Sequence, residues 1–524
     1  MAARLADLLG GLSRLADLGF GLPLGAALRS CALATRLGHS LALPPADLQA
    51  TFYTALLHHV GCAGYAHETA KLFGDELVAN QAAGRTDAAS LVDLFATFIP
   101  TLAQGRPAAV RLQLAFAALT KGGRWGREFT TTACELGRDS ARRLQLPEEV
   151  QQSLFHVYDM WRGKAGEHSL NGDDIPIAAR IARLAGIVVL FEAMGGQELA
   201  VEAVRRRSGG MLDPDLAARF TENAATLIGQ HAETSTGVVL DMEPEPHLLV
   251  PDLLPVARVF ADLADLKSPY LLGHSRAVAS LAAGASRHLR LGAEATADLE
   301  VAGLLHDLGR VAVPGSVWDK PGSLDADEWE QVRLHPYQSE RILAGSSELV
   351  RLAPLVGRHH ERLDGTGYYR GAGAQDLSAP ARILAAADAY RTLVEHRPHR
   401  AALSPDQAAQ HAVDEAERGR LDADAVHAVL VEAGHPVPTT SPRHLPHGLS
   451  EREAEVLSLM AHGCSNADIA ARLVISRRTA EHHVQHIYTK IGVSSRAAAT
   501  LFAVEHSLLG RIGSSADARV GRAE

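Results

Sequence analysis

Seven side chains of the kind that bind metal ions, His274, His306, Asp307, His335, His359, His360 and Asp388, are spread over about a hundred positions of this 524-residue chain. Each lies in or beside a segment with helical patterning, so the spacing is not that of a local zinc knuckle, whose ligands come in closely spaced pairs. Helices must bring them together. His306 and Asp307 sit inside the apolar run from Leu299 to Val313, where a carboxylate is costly unless its charge is compensated. A divalent cation does that. His274 opens HSRAVASLAAGASRHL, and Asp388 is the one acid on the apolar side of APARILAAADAYRTLV. Imidazole with carboxylate suits iron, manganese or zinc rather than magnesium or calcium alone. Seven ligands exceed the need of one ion. Two ions sharing a carboxylate use them all, and such a centre makes a nucleophile at neutral pH and clamps a phosphoryl group.

Composition bounds the rest. The length predicts three or four domains. With 47% hydrophobic, 21% charged and only 5% aromatic residues, alanine and leucine dominate the segments, which favours a nearly all-helical architecture. The net charge of -10 argues against a general nucleic-acid coat protein while leaving room for one small DNA-binding module. Cys31, Cys62, Cys134 and Cys464 form no CxxC pair, as expected of reduced thiols in a cytoplasm. The first twenty residues carry Asp7 and Asp17 and make a poor signal peptide. No apolar run approaches the ~18 residues of a membrane span, so a soluble, cytoplasmic protein is expected.

Four motifs, HDLGRVAVPGSVWDKPGSL, LHPYQSERIL, HHERLDGTGYYRG and ARILAAADAYRTLVEHRPHR, resemble the HD-GYP subgroup of the HD metallophosphohydrolases, over roughly residues 256–436. The resemblance implies hydrolysis of cyclic di-GMP, with the seven residues above as ligands and Asp307 as their bridge. It implies two divalent ions, iron or manganese ahead of zinc. Arg310, Arg397 and Arg400 fall where the family places basic residues near substrate phosphates, which makes them catalytic candidates beside Asp307.

Three departures stand out. The family's Gly-Tyr-Pro reads Gly367-Tyr368-Tyr369, and losing the proline is expected to free the loop and restore an N–H. The usual lysine is Arg310, which keeps the charge but changes donor geometry; six lysines against 45 arginines in the chain make compositional bias the simplest account. Where some members carry a glutamate for a third ion, this chain has Tyr270, so a two-metal site is expected.

The N-terminal half carries a faded copy of the same domain. TALLHHVG, residues 54–61, matches VAGLLHDLG, residues 301–309. Ala26 precedes His58 by 32 residues, as His274 precedes His306. In this copy Ala26, His59, the pair Val157-Tyr158, and Gly186 replace ligands, so it is expected to keep the fold and to lack the chemistry. A structural, ligand-sensing or dimer-forming role all suit it.

After a proline-rich link, Gly434 to Gly448, the pattern changes to short capped helices. Ser450 with Glu453 forms a capping box, Ser465 with Asp468 starts a second helix ending near Leu473, and Ser476 opens a third that Gly492 stops. Helix, tight turn, helix at this spacing is a helix-turn-helix. The stretch LSEREAEVL through FAVEH closely resembles the LuxR-type DNA-binding domain. That resemblance implies that the helix from Arg477 enters the major groove of double-stranded DNA, with Glu481, His482 and Gln485 reading bases. Ser476, Arg478, Thr479, Lys490 and Arg496 would face phosphates. Six basic and six acidic residues balance over 449–509, so a homodimer through the helix after Ser495 is expected to supply the second half-site.

The expected architecture is all-α: a separate helix over 1–18, a degenerate HD-GYP-like domain over 19–235, a metal-bearing HD-GYP-like domain over 250–436, a linker over 437–448, the LuxR-type module over 449–510 and a disordered tail over 511–524. The expected function is a DNA-binding transcriptional regulator carrying a cyclic-dinucleotide phosphodiesterase. Two other readings stand beside it: a non-catalytic nucleotide sensor that uses the HD domain as a ligand pocket, and a dimerisation scaffold for the DNA module.

Overall fold

The computed structural model describes residues 2–524 apart from 88–89, 164–168, 230–234, 437–445, 474, 507 and 509–524. The chain forms two compact units, Met1–His435 and Pro436–Glu524. The expected tail, and the expected linker except for residues 446–448, lie outside the described residues. No described helix is long and apolar enough to cross a membrane.

The first unit is built twice from the same sequence of elements. The first copy runs α1 (Leu5–Phe20), α2 (Ala26–Ser40), α3 (Pro45–Leu56), a 3-10 turn (Val60–Tyr65), α4 (Glu76–Arg85), α5 (Ala108–Arg143) and α6 (Ile177–Arg207), the last interrupted at Gly195-Gly196. The second runs α7 (Leu254–Asp265), α8 (His274–His288), α9 (Ala293–Leu305), a 3-10 turn (Leu308–Ala312), α10 (His335–Leu343) and α11 (Ala379–Val394). The same local devices recur at matching positions. Asp17 accepts from the Ala27 amide at 2.9 Å, and Asp265 from the Ser275 amide at 3.0 Å, each tying down the first turn of the helix that follows. Gly25 and Gly273, at φ +86° and +76°, supply the left-handed residue before those helices. Arg180 pairs with Asp213 as Arg382 pairs with Asp422.

This symmetry places the first boundary differently from the sequence reading. A break between residues 18 and 19 falls inside a continuous helix, because α1 is the first helix of the first copy and the counterpart of α7. It is buried nearly all round, with Leu5, Leu8, Leu9, Leu12 and Leu15 at most 2% exposed. It packs against both 3-10 turns. A helix apolar on every side belongs in a core. Among the described residues the one pair of β-strands is two residues long, Ala3–Arg4 against Leu249–Val250, with isolated bridges at Ser208–Leu212 and Arg397–Arg400, so the all-helical expectation holds with those small additions.

The copies differ most after their 3-10 turns. Where the second reaches α10 through two short helices, Gly315–Trp318 and Ala326–Arg333, the first has a longer stretch that includes α4 and the leading half of α5. The insertion is turned inward onto the other copy. Glu76 accepts the Gly315 amide at 2.9 Å with both carboxylate oxygens and forms a fully buried ion pair with Lys267, whose ammonium also donates to the Val311 carbonyl at 2.8 Å.

The second unit is a small bundle: α12 (Glu451–Ala461), α13 (Asn466–Leu473), α14 (Arg477–Ile491) and α15 (Arg496–Glu505). Leu457, Met460, Ile469, Ile487 and Phe502 form its core. The capping signals fold as read: Ser450 and Glu453 complete a capping box, Ser476 caps α14 through the Thr479 amide, and Gly492 ends it at φ +69°.

Candidate metal centre and DNA interface

All seven candidate ligands converge. Asp307, His335, His359 and His360 form one group and His274, His306, Asp307 and Asp388 another, with donor atoms of each group within 4.8 Å of one another. Asp307 is the residue they share. The convergence has a local origin: His306 and Asp307 follow the last turn of α9, His335 opens α10, His359-His360 follow the short helix Ala353–Val356, and Asp388 faces inward from α11.

Helix-end carbonyls set the imidazole orientation. The Nδ1–H of His306 donates to the Gly303 carbonyl at 2.8 Å, that of His335 to Val332 at 2.6 Å and that of His359 to Val356 at 2.6 Å. His274 donates to Glu395 at 2.8 Å. Each Nε2 is thereby turned toward the centre, the arrangement that backing hydrogen bonds give to metal-ligating histidines. The Nε2 atoms of His274 and His306 and both Asp307 oxygens are buried and make no well-formed hydrogen bond, although they lie at ion-pair distance from one another and Asp307 from Arg310. Buried polar atoms are rarely left so, and divalent ions satisfy them; the donor set therefore fits two such ions. His360, at 14% the most exposed of the seven side chains, marks the mouth.

Electrostatics agree. Burial pulls His274 and His306 down, but neighbouring Asp307 and Asp388, with Glu395 for His274, outweigh it and hold them at about 10 and about 9. Burial alone dominates at His335, which falls to about 4. Burial raises Asp307, yet Arg310 and the surrounding histidines hold it well below the usual carboxylate range.

The three arginines divide. Arg310 pairs with Asp307 at 2.7 Å and lies over the Trp318 ring, while its Nε and Nη1 remain buried without partners, so it has donors to spare for an anion. Arg397 is held by the Tyr270 carbonyl and Glu395. Arg400 is engaged within the fold. Its guanidinium donates to the carbonyls of Thr392, Leu393, Glu395 and Ala401, closing the C-terminus of α11, where free carbonyls and the helix dipole attract a cation.

The loop at Gly367-Tyr368-Tyr369 is not freed by the missing proline. The Tyr369 hydroxyl donates to Glu340 at 2.5 Å, Arg370 donates to the same carboxylate, and Glu361 accepts the Arg370 and Ala372 amides. Tyr368 stacks on His360 at 4.7 Å. Glu361, Glu395 and Tyr368 are site-building residues that sequence reasoning missed. For Glu395 a signal existed, since it follows Asp388 by two helical turns and precedes Arg397.

The first copy's equivalent site is filled. His58 and His59 stack at 4.2 Å, Phe20 stacks on His59 at 4.3 Å, and the Tyr158 hydroxyl meets His59 Nδ1 at 2.8 Å. A Cβ on Gly61 would lie 2.1 Å from the Ala133 carbonyl, as one on Gly309 would lie 2.0 Å from that of His335. Ala133 is therefore the counterpart of His335, a further ligand lost. With no carboxylate there among the described residues, and with burial holding both histidines neutral, this site does not fit metal.

In the second unit, Arg478, Glu481, His482 and Gln485 are exposed on the face of α14 opposite its core residues Ala480, Val484 and Ile487. Ser476, Arg477 and Thr479 are exposed at its start, with Arg477 paired to Glu481. Two phosphate candidates are engaged within the module: Lys490 pairs with Glu453 at 2.7 Å, and Arg496 donates to the Cys464 carbonyl.

Residues 258–425 match the HD domain family, and 447–503 match the luxR family of bacterial regulatory proteins. The chain is 32% identical over 410 residues to 3′3′-cGAMP-specific phosphodiesterase 3 of Vibrio cholerae, spanning 77% of this chain and 89% of that protein. It belongs to the HD-GYP family of HD-domain phosphohydrolases. A crystal structure of a cyclic GMP-AMP-specific phosphodiesterase from V. cholerae is similar at TM-score 0.56 and 26% identity, covering 84% of this chain and 99% of that one. Other HD-GYP relatives match a shorter stretch: the cyclic di-GMP phosphodiesterase response regulator RpfG of Xanthomonas campestris is 38% identical over 148 residues, 28% of this chain and 39% of that protein. This HD-GYP protein also carries a LuxR-type helix-turn-helix.

Proposed function

We propose that the protein is a DNA-binding regulator whose second HD copy is a cyclic-dinucleotide phosphodiesterase with two divalent ions, iron or manganese ahead of zinc. The observation that carries this reading is the sharing of Asp307 between two complete ligand groups. When bound, the ions supply an activated water and charge neutralisation for the phosphodiester. Asp307 would contribute to holding both ions, Arg310 offers its free Nε and Nη1 to the phosphate, and Arg397, fixed by Glu395 and the Tyr270 carbonyl, adds positive charge beside it. Tyr368, stacked on His360, walls the mouth. The substrate class is cyclic di-GMP or a related dinucleotide; the long match to a 3′3′-cGAMP-specific enzyme makes that mixed dinucleotide the one to assay beside it.

The LuxR-type module binds double-stranded DNA as a homodimer through the exposed face of α14, with Glu481, His482 and Gln485 toward the bases and Ser476, Arg477, Arg478 and Thr479 toward the backbone. Occupancy of the nucleotide site sets DNA affinity only so far as the ligand binds one DNA-competence state better. The test is anaerobic purification with metal analysis, then turnover of both dinucleotides beside an Asp307→Ala control. About two ions per chain, with turnover lost in the variant and DNA binding kept, supports the enzyme. Ions without turnover shift the function to a nucleotide-sensing regulator, and a chain that takes up no metal overturns both.

A further inference from the structure

Between the two HD copies lies a second opening, a cleft of about 730 Å³ that includes none of the metal ligands. Its cationic groups are Arg14 from α1 and Arg341 from the last turn of α10, and its apolar wall is made by Leu28, Leu240 and Val350. The Arg14 Nη1 donates to the Arg341 carbonyl at 2.8 Å, which holds the two residues together. Neither guanidinium has a carboxylate partner among the described residues. Among the described residues the one carboxylate lining the cleft, Asp7, is already used: it accepts the Ser346 hydroxyl at 2.6 Å and the Ser347 and Glu348 amides at 3.1 and 3.2 Å. Gly25 forms part of the wall with no atom within 4 Å of its Cβ position, so the cleft stays open there.

The volume falls in the ~300–1,000 Å³ range of small-molecule sites. Planar guanidinium forks match the oxygens of a phosphate, and a leucine and valine wall suits the flat face of a ring. We infer that this cleft is a binding site for a nucleoside phosphate, separate from the metal centre. Its floor is the far end of α10, the helix that His335 opens, about 13 Å along the axis at 1.5 Å per residue. The inference does not rest on the phosphodiesterase reading.

Calorimetric titration of the full chain with GMP, and separately with inorganic phosphate, tests it. GMP binding is expected in the parent chain and, within about twofold, in Asp307→Ala, which dismantles the metal centre; inorganic phosphate, lacking the ring, is expected to bind more weakly. Arg341→Glu, at an exposed position without an ion-pair partner, is expected to weaken GMP at least about tenfold, the loss of one charge-assisted contact. Val350→Trp, which fills the cleft from a residue 46% exposed, is expected to do the same and decides the matter if the charge reversal fails to fold. No GMP binding at millimolar concentration overturns the inference. So does binding that ignores both cleft variants, or that disappears with Asp307→Ala alone.

Discussion

Replacing Glu76 by leucine removes the buried carboxylate by which the first copy holds the segment next to the metal centre. Two groups lose their partner. Lys267, 1% exposed, becomes a buried cation without a counter-charge, and the Gly315 amide loses its acceptor. Breaking a buried pair from one side costs about 3–5 kcal/mol because the remaining charge stays desolvated. Lys267→Met alone is expected to cost a similar amount, this time leaving the carboxylate stranded. The double variant Glu76→Leu/Lys267→Met removes both charges and leaves the Gly315 amide and the Val311 carbonyl without these partners, about 1–3 kcal/mol each, but strands no buried charge, so it is expected to be more stable than either single variant. Urea unfolding followed by far-ultraviolet circular dichroism measures the cycle. A double variant that costs the sum of the two singles, or a Glu76→Leu variant that costs less than about 1 kcal/mol, would falsify the reasoning that the pair stabilises the junction as a unit. Because Lys267 and Glu76 grip Val311 and Gly315 on either side of the strand leaving Arg310, Glu76→Leu is also expected to lower metal content.

Other outcomes follow from single contacts. Gly309→Ala forces a Cβ to 2.0 Å from the His335 carbonyl, a backbone atom, so we expect metal content to fall to background and the melting temperature to drop; a variant that loads normally refutes the close crossing. In the metal-free chain His274 and His306 stay protonated up to about 10 and about 9, so metal uptake must expel those protons. Apparent manganese affinity is accordingly expected to rise from pH 6 to pH 8, and a flat profile refutes the assignment of those two nitrogens. Arg478→Ala, on the exposed face of α14, is expected to reduce the salt dependence of DNA binding by about one phosphate contact, as seen in a plot of log affinity against log salt.

What was legible in the sequence was what short-range chemistry encodes. Seven residues with ligand chemistry admit few arrangements, and all seven meet. The helix-turn-helix was readable because its stops and starts are local: a serine reaching an amide three residues on, a glycine at positive φ. Missed features depend on distant partners. Nothing near Arg400 says that its donors close the end of α11, and nothing near Tyr369 says that Glu340 lies in reach of its hydroxyl. Ala133 escaped notice because the insertion carrying α4 shifts the register between the copies. Only the shared crossing at Gly61 and Gly309 restores it.

The first copy has the architecture without the ligands, and the structure supplies a physical reason for its stability. Metal sites are expensive to abandon halfway, because imidazoles and carboxylates left without an ion are buried polar groups. Here the change is complete: Ala26, Ala133, Val157 and Gly186 remove donors, Tyr158 and Phe20 fill the space, and His58 and His59 stack as neutral rings. What replaced metal binding is bracing. Asp7 orders the loop beyond α10, Arg14 holds the Arg341 carbonyl, and Glu76 holds Gly315 and Lys267. The Glu76 contacts end beside Arg310, and those of Asp7 and Arg14 end on or just beyond α10, the helix that His335 opens. Deleting the first copy would therefore expose the apolar face on which α1 lies and strip the supports from the metal centre at once, so the second copy expressed alone is expected to be insoluble or metal-poor. A soluble fragment beginning near residue 250 that retains both ions would show that the second copy needs none of these braces.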